Sequence, residues 1–110
     1  MSDDTSDHCV VQTALPSEAQ AAELARAVVQ QRLGACVQVQ AIRSFYVWQE
    51  HAHDEPEWLL SIKTRRALYP QLEAWLRERH PYETPEIICL PITAGSAAYL
   101  AWVDTNTRNV

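Results

Sequence analysis

The chain has 110 residues and a formal net charge of −5, with 9 Lys and Arg against 14 Asp and Glu. That length suits one domain with one hydrophobic core, and the acidic balance argues against the basic patch on which nucleic-acid binders rely. No apolar run reaches the ~18 residues of a membrane span, and the acidic start has no basic segment leading into an apolar one, so a cytoplasmic protein is expected.

Residues 1–7 are polar and acidic and read as a flexible tail, with a single domain over residues 8–110. Residues 8–13 form a short β-like run, broken by Leu15, Pro16 and Ser17. Ser17 then serves as a helix N-cap with Gln20 three residues on, and Leu24, Val28 and Leu33 give the helix its apolar stripe. Gly34 falls where a C-terminal cap wants a positive φ, so it is expected to stop this helix.

Residues 35–49 read as an unusually long strand. Val37, Val39, Ala41, Phe45 and Val47 share one face, and Ile42, Tyr46 and Trp48 the other. One sheet in a domain of this size has helices for only one face, so a second subunit is expected to bury the other, unless Tyr46 and Trp48 line a pocket. Residues 51–56 supply a polar turn, and residues 57–64 return as the second strand of a long hairpin, with Trp58, Leu60 and Ile62 on one face.

Residues 67–79 form the second helix, with Leu68, Leu72, Trp75 and Leu76 on one side. His80-Pro81-Tyr82-Glu83-Thr84-Pro85-Glu86 ends it, because each proline holds the residue before it away from helical geometry. This stiff segment packs an imidazole, a phenol and two carboxylates directly before a strand over residues 87–92. Thr93, Ala94 and Gly95 turn the chain, and Ser96 caps a short helix carrying Tyr99, Leu100, Trp102 and Val103. The order βαββαβ plus a C-terminal helix predicts an α+β, ferredoxin-like fold with two helices on one face of an antiparallel four-stranded sheet.

Few groups offer chemistry. Cys9, Cys36 and Cys89 lie in apolar runs without zinc or disulfide spacing and read as buried thiols. Lys63, Arg65 and Arg66 are too few to hold a duplex, yet enough for one small anion; a solvated strand end is the simpler account of them. His51 and His53 alternate on a strand end beside Asp54 and Glu55, but lack a third fixed metal ligand. His80 with Glu86 is the better pair, since the prolines hold both, and imidazole plus carboxylate suits a divalent transition ion such as copper or zinc. Cys36 meeting His80 would make a nucleophile and base, although a thiol in an apolar strand is more simply a packing residue. Glu83 and Glu86 show no reason to share a proton, and two glycines cannot build a phosphate cradle. Trp48, Trp58, Trp75 and Trp102 read as core or subunit-interface residues.

Gly34-Ala35-Cys36-Val37, Ser44-Phe45-Tyr46-Val47-Trp48, Glu57 through Ile62-Lys63-Thr64, the His80 to Glu86 block and Tyr99-Leu100-Ala101-Trp102 together resemble the successive signature blocks of the CutA divalent-cation tolerance proteins. The likeness runs from about Val10 to Trp102. It implies a tight homotrimer in which hairpin strands pair between subunits, with clefts between neighbours, an architecture similar to PII signalling proteins. It also implies a role in tolerance of copper and other divalent metals, and no enzymatic reaction.

By position, Cys36, Trp48, Lys63, Thr64, His80, Tyr82, Pro85, Glu86, Tyr99 and Trp102 match the family's motif residues and are expected to line or support the cleft. Some members are described with a copper set whose positions correspond here to Thr13, Arg79 and Glu86; losing the thiolate and imidazole weakens copper binding there. The resemblance thus implies metal binding through His80 and Glu86, a PII-like sensor whose Lys63 and Arg79 neutralise a small anion, or a scaffold whose motifs only lock subunits together.

Overall fold

Cys9, Val11, Thr13 and Leu15 alternate along the first strand and all are buried, so a period of two commits one face of that strand to the core. The computed structural model describes residues 6–110. Its elements are β1 (His8–Leu15), α1 (Glu18–Gln30), β2 (Cys36–Trp48), β3 (His51–Arg65), a 3₁₀ turn (Arg66–Leu68), α2 (Tyr69–Arg79), β4 (Ile88–Pro91) and α3 (Ala97–Thr105). The strands pair antiparallel in the order β2-β3-β1-β4, the ferredoxin-like arrangement expected. Leu24 and Val28 of α1 and Leu72 and Leu76 of α2 close the core against Val11, Leu60 and Ile62.

Of the tail expected over residues 1–7, residues 1–5 lie outside the described residues. Asp7 is tied to the domain, its carbonyl accepting the Arg66 N–H at 2.8 Å.

The hairpin is longer than the sequence pattern suggests. Pairing runs from Cys36↔Lys63 to Trp48↔His51, so the turn is Gln49-Glu50 and residues 51–56 continue β3. Both turn residues have positive φ, 49° and 68°, the handedness that lets a two-residue turn follow the twist of its strands. Cross-strand contacts hold the extension: Tyr46 stacks on His53 at 5.0 Å between centroids, and Arg43 Nε donates to Asp54 Oδ1 at 2.6 Å. Pro56 is tolerated here because β1 ends at Leu15↔Trp58, leaving β3 without a neighbour on that side.

Gly34 is not the left-handed cap. Arg32 takes that conformation at φ 56°, and the N–H groups of Arg32 and Leu33 reach back to the carbonyls of Val29 and Val28 at 3.0 and 3.1 Å. Close packing explains the glycine: a Cβ there would lie 2.5 Å from Ile62 Cγ2 and 3.0 Å from Val28 Cγ1. β4 is also shorter than residues 87–92, although the Ile92 N–H still bonds the His8 carbonyl at 3.0 Å.

The sheet face away from α1 and α2 is not wholly open. Ser96 caps α3, its Oγ accepting the Tyr99 N–H at 3.1 Å, and this helix covers one end of that face. There His8 Nε2 lies 2.8 Å from Asp104 Oδ1, and Arg65 Nε donates to Thr107 Oγ1 at 2.9 Å. The hairpin's far end stays uncovered, with Phe45 71% and Val47 72% exposed on one face and Tyr46 and Trp48 exposed on the other. None of the helices described is long and apolar enough to cross a membrane.

Candidate functional site

The chain leaves α2 at His80, whose backbone is extended at φ −73° and ψ 136°, as the following proline demands. This turns the ring inward, leaving His80 only 8% exposed. Nε2 lies 2.9 Å from the Ala14 carbonyl, so it carries the proton and donates; Nδ1 then accepts the Tyr82 N–H at 3.1 Å. Burial lowers the imidazole's pKa, with the Ala14 carbonyl and the Glu57 charge acting the other way. Both ring nitrogens are thus committed within the chain, and the ring ties the connection to the end of β1.

That tie places Tyr82 over the hairpin. Its phenol donates to Glu57 Oε2 at 2.7 Å, and Glu57 is only 7% exposed at the inner part of β3. A buried carboxylate needs such a donor, because desolvation without compensation is costly. Burial and then Glu57 push the Tyr82 phenol's pKa up. Two residues along the same strand face, Glu55 Oε2 accepts from the Tyr46 phenol at 3.1 Å, and His53 Nδ1 lies 3.4 Å from Glu55 Oε1. A row of carboxylates and phenols therefore follows β3 toward the exposed hairpin tip, where Trp48 sits. Glu83 and Glu86 are exposed on the segment that enters β4.

The remaining candidates lie elsewhere. Cys36 pairs with Lys63 at the opposite end of the hairpin, beside Tyr99, whose phenol burial and Cys36 both push upward in pKa. Lys63 Nζ donates to Gln38 Oε1, and Tyr99 stacks on Trp102 at 5.7 Å. Thr64 is buried, its hydroxyl donating to the Leu33 carbonyl at 2.7 Å, so it clamps the chain just past α1 from within the core. Arg79 folds back over Trp75, its Cζ 4.3 Å from the ring, and donates to the Trp75 carbonyl. Cys36 and His80 do not meet: Lys63 pairs with Val10, four strand residues from Ala14, roughly 13 Å at 3.3 Å per residue. Thr13 points into the core beneath the helices.

Among the described residues no three His, Cys, Asp or Glu side chains converge to hold an ion, and the inward turn of His80 leaves Glu86 without its expected imidazole partner. Sequence reasoning missed Glu55 and Glu57 as members of the polar row. Their spacing of two around Pro56 was the available signal, since it puts both carboxylates on one strand face once residues 51–56 are read as strand.

Residues 9–106 match the family model described as CutA1 divalent ion tolerance protein. Protein CutA of Mus musculus is 44% identical over 96 residues, covering 86% of this chain and 54% of the relative, so the chain spans about half of that relative's length. Divalent-cation tolerance protein CutA of Thermus thermophilus is 41% identical over 99 residues, covering 89% of this chain and 96% of the relative. The crystal structure of CutA1 from Oryza sativa superposes with a TM-score of 0.91 at 34% identity, covering 96% of this chain and 98% of that one.

Proposed function

The chain belongs to the CutA1 divalent ion tolerance family, and from that premise we propose a non-enzymatic, cytoplasmic homotrimer that takes up a divalent cation, copper or zinc, at clefts between protomers. One observation carries the reading: the exposed apolar end of the hairpin adjoins the carboxylate row of Glu55 and Glu57. Burying side chains such as Phe45 and Val47 contributes about 1.5–3 kcal/mol each, which favours association of copies at this end. Association also supplies what one protomer lacks, since a neighbour's donors can complete a cation site around exposed Glu86.

Within this reading His80 is a positioning residue that holds the connection, and Tyr82 and Trp48 wall the cleft. Cys36, Lys63, Tyr99 and Trp102 line its far end, with Thr64 supporting them from beneath. A PII-like anion sensor has less support, because Lys63 and Arg79 lie apart and are turned to Gln38 and Trp75.

Sedimentation equilibrium and calorimetry test the proposal together. A trimer mass is expected for the native chain and monomers for Phe45→Glu combined with Val47→Glu. Cu²⁺ or Zn²⁺ should give binding heat with the metal-free trimer that Glu86→Ala removes. A monomeric native chain, or a trimer that releases no heat with either ion, would sink it.

A further inference from the structure

Two of the three thiols are neighbours on one face of the sheet and take no part in the polar row. Cys9 pairs with Pro91 and Val11 with Cys89, so both sulfurs share the helix-covered face of adjacent strands, diagonal to one another. Cys9 is fully buried, Cys89 is half-buried, and both pack into the core. Burial foremost, then the neighbouring Cys89, pushes the Cys9 thiol up to about 12. A dithiol in this setting keeps its protons unless something replaces them.

We propose that Cys9 and Cys89 form a two-coordinate site for a soft monovalent metal ion, Cu(I). Thiolate pairs select such an ion over harder divalent cations, whereas the carboxylate row suits the latter. Geometry separates this from a disulfide. Diagonal neighbours typically have Cα atoms roughly 7–8 Å apart, beyond the roughly 4.4–6.8 Å that a disulfide bridges. Two near-collinear metal–sulfur bonds, slightly shorter than the ~2.3 Å of a zinc–thiolate bond, hold the sulfurs roughly 4.3 Å apart, which diagonal side chains can reach.

Binding exchanges each thiol proton for a sulfur–copper bond; both protons go to solvent and nothing is oxidised. The resulting anionic pair lies within reach of the Arg66 charge, which already acts on Cys9. Cys89 is on β4, an edge strand with partial exposure, so the ion has an entrance that Cys9 alone would lack.

Anaerobic titration with Cu(I) in competition with bicinchoninate tests the site. One tightly held Cu(I) per chain is expected. In Cys89→Val, which keeps an apolar β-former on an edge strand, affinity should drop by more than the roughly 100-fold that losing an outer-shell contact produces. X-ray absorption of the loaded protein should show two sulfur neighbours and no nitrogen. Retention of Cu(I) by a folded Cys89→Val, or a nitrogen neighbour, would overturn the proposal. Calorimetry of Cys89→Val with Cu²⁺ and Zn²⁺ separates the two readings, because the cleft's binding heat should be untouched.

Discussion

The Tyr82 phenol donates a 2.7 Å hydrogen bond to Glu57 Oε2, fastening the connection between α2 and β4 to the inner part of the long hairpin. Glu57 is 7% exposed, so little water is available to replace that donor. Tyr82→Phe should therefore destabilise the fold by about 1.5–3 kcal/mol, the range for a hydrogen bond to a charged group. Urea denaturation of the two proteins measures it. A difference below about 0.5 kcal/mol would mean that Glu57 finds another donor, since that is the scatter of inert surface changes.

Acid should loosen the same connection. Burial holds the His80 imidazole below its ordinary 6.5, so the unfolded chain binds the proton at higher pH than the folded one. Stability from the neutral ring is present above pH 6.5 and is lost as pH falls through the lower folded value. Protonation also places a hydrogen on Nδ1, where the Tyr82 N–H now donates. Thermal melts across this range should show a midpoint falling with acid, with a shallower slope in His80→Gln; identical slopes would count against the assignment.

Gly34→Ala adds a Cβ 2.5 Å from Ile62 Cγ2, in a site with no positive φ to relieve. Overpacking of this kind destabilises by about 1–3 kcal/mol. The denaturant midpoint should fall without a change in slope, and an unchanged midpoint would show that Ile62 moves aside freely.

Thr13 has the opposite problem. Its hydroxyl is buried and, among the described residues, has no hydrogen-bond partner. Thr13→Val keeps the shape and removes the stranded polar atom, so stability should rise by about 1–2 kcal/mol. A lower denaturant midpoint in the variant would reveal a partner for the hydroxyl.

Much of the fold is legible in the chain itself. Alternation along β1 and β2, the Ser17 and Ser96 caps and the prolines after α2 act over a few residues, and each element formed where those signals lay, although β1 runs on through Leu15 and only Pro16 ends it. The hairpin turn was hidden because Gln49-Glu50 lacks the glycine or asparagine that usually marks positive φ, and the charged residues after it look like a loop. Gly34 misled for a related reason: a glycine after a helix suggests a cap, whereas here Arg32 turns the chain and the glycine makes room for Ile62.

By itself, then, the sequence determined the order of elements, the two apolar faces of the hairpin and the stiffness of the segment from His80 to Glu86. Tertiary structure decided what that segment's polar atoms do. His80 spends one ring nitrogen on Ala14, 66 residues away, and Tyr82 finds Glu57 across 25 residues. Local propensities cannot anticipate such partners, because a lone pair is committed only when packing brings distant backbone and side chains within about 3 Å and removes the water that would otherwise serve.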